Sequence, residues 1–165
     1  MKGSNMILTK ETADRKLRRM ALEVAERNYA KDELILIGIK ENGSFIAVKI
    51  AQYLKKVFKG NIKVIDLTIN KKQPGEIKLS ETIDFNNKVI VLIDDVANSG
   101  RTMLYALKPL LLQLPEKIQT LALVERTHKQ FPIAVDYVGL SVSTTLQENI
   151  VVEIAKDEVT GAWMR

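Results

Sequence analysis

Apolar residues recur along the chain in two alternating rhythms, one helical and one strand-like. Leu17, Met20, Ala21, Val24 and Ala25 fall on one face at helical spacing, predicting a helix from residue 9 to about 29 with Thr9 as its N-cap. Leu34-Ile35-Leu36-Ile37-Gly38-Ile39 is almost wholly apolar between charged flanks, the pattern of a strand buried on both faces of a parallel sheet. A second helical stripe, Ile46, Ala47, Ile50, Ala51 and Leu54, follows Gly43, and Gly60-Asn61 closes it before a strand from Ile62 to Ile69. Residues 70–82 are polar around Pro74-Gly75 and predict a mobile loop or a loose hairpin. A strand runs from Lys88 to Asp94. A helix is expected from near Arg101 with Leu104, Leu107, Leu111 and Leu114 turned inward, bent or cut short at Pro109. Ile118 to Val124, Tyr137 to Gly139 and Ile150 to Ile154 are further strands, and residues 1–6 are expected to be disordered.

Strands alternating with helices imply an α/β fold with a mostly parallel, doubly wound sheet. With no repeat and no low-complexity linker, residues 1–165 read as one domain. In such sheets ligands bind beyond the carboxyl ends of the strands. Attention therefore falls on the loops after residues 39, 69, 94 and 125.

Composition narrows the chemistry. The chain has no Cys and one His, which excludes disulfides, thiolate zinc sites, iron–sulfur clusters, thiol nucleophiles and multi-His metal centres. Any metal must take oxygen ligands, pointing to Mg²⁺. The absence of a long apolar run and of a signal-like start leads to the expectation of a soluble, cytoplasmic protein. A net charge of +5 suits an anionic partner without proving nucleic-acid binding.

The densest chemistry lies in V-I-V-L-I-D-D-V-A-N-S-G-R-T, residues 89–102. A buried strand ends in the adjacent carboxylates Asp94 and Asp95. A loop of Val96, Ala97, Asn98, Ser99, Gly100, Arg101 and Thr102 then supplies backbone N–H groups, two hydroxyls and the start of a helix, a cradle for a phosphate monoester. Ionised carboxylates beside that cradle accept hydrogen bonds from a diol, so a pentose 5-phosphate with free 2- and 3-hydroxyls fits both features. A plain helix N-cap with a turn, or the acidic pocket of a phospho-receiver domain, are the alternatives. Receiver domains take their Asp pair from the first strand, whereas this pair follows the third. The full pattern is far more specific than any fragment of it.

This segment resembles the 5-phosphoribosyl-1-pyrophosphate (PRPP) signature of type I phosphoribosyltransferases. The similarity extends from Ile7-Leu8 to about Glu158, and is nearest to the bacterial pyrimidine-operon attenuators that double as uracil phosphoribosyltransferases. R-R-M-A-L-E-V-A-E-R-N (18–28), L-I-G-I-K-E-N-G (36–43) and above all L-V-E-R-T-H-K-Q-F-P-I-A-V-D-Y-V-G (123–139) carry it. The resemblance implies the family's doubly wound sheet with a small hood, transfer of the ribose 5-phosphate of PRPP to uracil giving UMP and pyrophosphate, Mg²⁺ with PRPP, and a homodimer or higher homo-oligomer. Asp94 and Asp95 would hold the ribose hydroxyls, with the Mg²⁺ carried by PRPP in reach of either carboxylate, and Val96 to Thr102 the 5-phosphate. Lys40, Glu41, Asn42 and Gly43 match the pyrophosphate loop. Lys71 and Lys72 lie in the closing loop, facing pyrophosphate, while Arg126 and His128 in the hood frame the base.

Departures from the family pattern sharpen these expectations. Purine-specific relatives often carry Asp where Asn98 stands, so a purine substrate loses support. Pyrimidine relatives usually have Arg at Asn42 and an Arg-Asp pair at Lys71-Lys72. Lysine restores charge but not a bidentate fork, which points to weak turnover or to PRPP binding without efficient transfer. A nucleotide- or PRPP-sensing RNA-binding regulator of pyrimidine genes is the alternative. Its RNA face is depleted here: Ala134, Leu140 and Leu22 replace polar or basic residues, while Arg18 and Lys129 remain. Trp163 fits a subunit contact or an exposed position equally.

Overall fold

The computed structural model describes residues 4–165. Six strands form the main sheet in the order β4-β3-β2-β5-β6-β7. Strands β2 (Glu33–Ile39), β3 (Asn61–Ile69), β5 (Val89–Ala97), β6 (Lys117–Arg126) and β7 (Tyr137–Val142) run parallel, and β4 (Ile77–Leu79) pairs antiparallel with β3. The mostly parallel sheet is the one the sequence predicts.

Side-chain alternation along the apolar strands explains why they lack polar positions. Leu34, Leu36, Val91 and Ile93 pack under α1 (Lys10–Arg27) and α2 (Asn42–Leu54), against Leu17, Met20, Ile46 and Ile50. Ile35, Ile37, Ile90 and Leu92 face the opposite way, toward Met103, Ala106 and Leu110. Both faces are covered, so both registers must be apolar. Thr9 caps α1 as expected, its hydroxyl accepting from the Thr12 amide at 3.2 Å.

A second sheet, β1-β9-β8, forms a small antiparallel hood from β1 (Asn5–Thr9), β8 (Ile150–Ala155) and β9 (Glu158–Met164). The expectation of disorder over residues 1–6 is corrected at Asn5 and Met6, which pair with Met164 and Trp163; residues 1–3 lie outside the described residues. Trp163 is therefore a strand residue of the hood. Residues 70–82 form a hairpin arm rather than a plain loop, because Ile77–Leu79 pair with Leu67–Ile69.

The helix expected to run past Arg101 is short. α3 spans Arg101–Ala106 and a single 3₁₀ turn follows at Leu110–Leu112, because Pro109 has no N–H to continue the ladder. The inward stripe is Met103, Ala106 and Leu110, not the leucines expected: Leu104 and Leu107 are half-buried, while Leu111 and Leu114 are 62% and 80% exposed. Among the described residues no helix is long and apolar enough to cross a membrane.

Candidate functional site

Strands β2, β3, β5 and β6 release their loops at one edge of the sheet, and the residues singled out above gather there. Strand β5 extends to Ala97, three residues beyond the expected end. Val96 and Ala97 are paired with Val124 and Glu125 of β6, so the open part of the phosphate cradle is Asn98 to Thr102. A space of about 60 Å³ lies between this turn, Asp94 and Lys71, enough for one small anionic group. A larger groove of about 480 Å³ between α1, α2 and β9 shares no residue with it.

The cradle is braced from outside. Amides of Gln130 and Phe131 both donate to the Ser99 carbonyl at 3.0 Å, tying the loop after β6 to the turn. Gly100 takes φ +85°, and a Cβ there would lie 2.4 Å from Ile133 Cγ2. Glycine is required twice over at this position, by its left-handed backbone and by the close approach.

Both carboxylates are buried: Asp94 is 1% and Asp95 8% exposed. Burial, joined by the adjacent Asp95 charge and only partly offset by Lys71, pushes the Asp94 carboxyl up to about 8. Its oxygens are nevertheless engaged. Lys71 Nζ donates to both, at 3.1 and 3.2 Å, and Oδ1 accepts from the Asp95 amide at 2.9 Å. Asp95 accepts from the Val96 amide on one oxygen and from Asn42 Nδ2 on the other, at 2.8 and 2.9 Å.

The pyrophosphate-loop residues are less uniform than the sequence suggests. The Lys40 amide donates to the Leu67 carbonyl, and its ammonium lies 3.8 Å from Asp66, so neither is aimed at the doublet. The Lys40–Glu41 peptide is cis. A Cβ on Gly43 would fall 2.6 Å from the Ile93 carbonyl; the absence of one lets the start of α2 press against β5 and brings Asn42 to Asp95. Arg101 is also redirected, its guanidinium donating to the Lys71 carbonyl at 3.0 Å. Lys72 is exposed on the same arm, and its amide donates to Asn70 Oδ1. Arg126 and His128 lie outside the hood in which the sequence reading placed them: Arg126 is the last residue of β6 in the main sheet and donates to the Thr145 carbonyl, and His128 is exposed on the loop beyond. Sequence reasoning missed one participant. The Val152 carbonyl of β8 accepts from Asn42 Nδ2 at 3.0 Å, and a backbone acceptor leaves no mark in residue identity.

Among the described residues, no three His, Cys, Asp or Glu side chains converge as a metal cage. The doublet is all oxygen, and suits a hard cation whose remaining ligands come from a bound phosphate and water.

Over residues 3–157 the chain matches the sequence profile of the family described as phosphoribosyl transferase domain. It is 36% identical over 169 residues to the "Bifunctional protein PyrR" of Thermoanaerobacter pseudethanolicus, covering 96% of this chain and 94% of that one. Identity to the protein of the same name from Ligilactobacillus salivarius is 34% over 159 residues, covering 89% and 88%. Among solved structures, the hypoxanthine phosphoribosyltransferase of Trypanosoma cruzi superposes with a TM-score of 0.75 at 14% identity, over 84% of this chain and 82% of that one. A hypoxanthine-guanine phosphoribosyltransferase from Bacillus anthracis gives 0.72 at 15% identity, over 97% and 99%. At such identities the structural matches speak for a shared fold.

Proposed function

The chain belongs to the phosphoribosyltransferase domain family, and from that premise we propose that it transfers the ribose 5-phosphate of PRPP to uracil, releasing UMP and pyrophosphate in the cytoplasm. The observation that carries this reading is the buried Asp94-Asp95 pair beside the Asn98–Thr102 turn. One feature suits a vicinal diol and the other a phosphate monoester.

In this reading the hydroxyls of the ribose donate to Asp94 and Asp95, and the 5-phosphate sits on the amides and hydroxyls of Ser99 to Thr102. The amides of Glu41, Asn42 and Gly43, at the start of α2, receive the leaving pyrophosphate. Lys71 and Lys72 bring positive charge from the hairpin arm and exclude water as it closes. Arg126 and His128 frame the pyrimidine against the hood. Asp94 or Asp95 would be the residues in reach of a Mg²⁺ ion accompanying PRPP, and such an ion would supply neutralisation of the leaving group's charge. Asn98 in the cradle supports a pyrimidine over a purine, because an amide cannot relay the proton a purine nitrogen exchanges. The exposed Leu111, Leu112 and Leu114 support assembly into a homo-oligomer, measurable as mass in solution.

The test is pyrophosphate release from PRPP with uracil, other pyrimidines and purines in turn. Release with uracil alone is expected. Release only with a purine overturns the substrate. No release with any base, together with salt-sensitive binding to a leader RNA, replaces the enzyme by an RNA-binding regulator.

A further inference from the structure

We infer that Asn42 is a positioning residue for the sugar site: its amide fixes the Asp95 carboxylate and fastens it to the hood. The inference rests on the ribose-binding reading of the acidic doublet and concerns the Asn42 side chain, leaving its backbone amide free for pyrophosphate.

An asparagine amide has two N–H donors, and both are spent here. One goes to Asp95 Oδ2 at 2.9 Å and the other to the Val152 carbonyl in the middle of β8 at 3.0 Å. The side chain is half-buried and turned inward, so it is not presented to a leaving group beyond the loop. Its reach depends on Gly43, whose lack of a Cβ allows the α2 start to contact the Ile93 carbonyl. Asp95 Oδ1 is fixed by the Val96 amide at 2.8 Å, so the Asn42 bond to Oδ2 locks the remaining rotation of the carboxylate plane. A carboxylate held in this way meets a diol without reorganisation, the condition under which an electrostatic contact is most effective. The two bonds of this amide join α2, β5 and β8, so one side chain links the orientation of the sugar site to the hood.

Asn42→Asp is nearly isosteric but replaces the donor with a charge that repels Asp95; Asn42→Ala removes the amide alone. Affinity for ribose 5-phosphate, which carries no pyrophosphate, is measured by calorimetry beside PRPP with Mg²⁺. Circular dichroism checks that each variant folds. Asn42→Asp is expected to weaken both ligands alike by roughly tenfold or more. Asn42→Ala is expected to weaken both by a smaller factor, and it decides the matter alone if the Asp variant does not fold. Amide exchange in β8 should slow when ribose 5-phosphate binds the wild type and should not slow in Asn42→Ala. Weakened PRPP with unchanged ribose 5-phosphate would assign the Asn42 side chain to pyrophosphate instead, and unchanged affinity for both would remove that side chain from the site. If the wild type itself fails to bind either ligand, the ribose-phosphate reading falls first and this inference with it.

Discussion

Lys71 Nζ reaches both oxygens of Asp94, at 3.1 and 3.2 Å, and the Lys71 carbonyl is held by the Arg101 guanidinium at 3.0 Å. An ammonium from the hairpin arm thus occupies the carboxylate that a sugar diol would use. The two compete for the same lone pairs. Lys71→Ala should tighten ribose 5-phosphate binding by roughly a few-fold, because the competitor is gone. The same variant should slow PRPP turnover by roughly tenfold or more, because a cation near the leaving group is lost. Calorimetry with ribose 5-phosphate and steady-state kinetics with PRPP check the two halves; weaker sugar-phosphate binding would mean that Lys71 is a ligand for it.

Asp94 also predicts a pH dependence of stability. Its carboxyl is raised from 3.8 to about 8, chiefly by burial. Between those values the native state holds a proton that the unfolded chain releases, so this group's contribution falls as pH rises through the window. Asp94→Asn removes the cost of ionising a buried group. It should therefore be more stable than wild type at about pH 9, with the advantage shrinking toward about pH 4; each tenfold difference in proton affinity between the folded and unfolded chain is worth about 1.4 kcal/mol. Urea midpoints of both proteins across that range measure it. A constant difference would show that Asp94 does not titrate there.

Gly100→Ala strains a φ of +85° and drives a methyl into Ile133. A destabilisation of about 1–3 kcal/mol is expected, together with weaker binding of any 5-phosphate as the turn shifts. Thermal unfolding and ribose 5-phosphate titration together test the position.

Thr9→Ala should behave differently. It removes the N-cap bond to Thr12 at the outer end of α1, costing about 1 kcal/mol. PRPP kinetics should be unchanged, which separates a stability effect from a site effect.

The parts of the fold that were legible in the sequence are those whose burial is two-sided or periodic. Leu34 to Ile39 and Val89 to Ile93 admit only apolar residues because helices cover both sheet faces. The family resemblance, carried by the Asp94-Asp95 segment and residues 123–139, agrees with the family match over residues 3–157. The hood was harder to see. β9 is entered through Lys156 and Asp157, which adopt φ of 51° and 59° without the Asn-Gly pair that usually announces such a turn. Its Thr160-Gly161-Ala162 stretch also lacks strand-forming bulk. The leucines after Arg101 misled for another reason. A helix broken before Pro109 has no continuous face, so the stripe that fits an unbroken one lands partly in solvent. Within the site, residue types marked the location, but side-chain direction did not follow from them. Lys40 turns to Asp66 and Arg101 to a backbone carbonyl because those partners come from distant parts of the chain.

The pairing of β1 with β9 makes the hood depend on contacts between segments far apart in sequence. The hood needs residues 5–9 and 158–164 side by side, segments from opposite ends of the described chain. Such a pairing closes a loop that spans most of the chain, a larger entropy cost than the short connections of the central sheet. The hood is therefore the part of the fold whose formation rests on the most distant contacts.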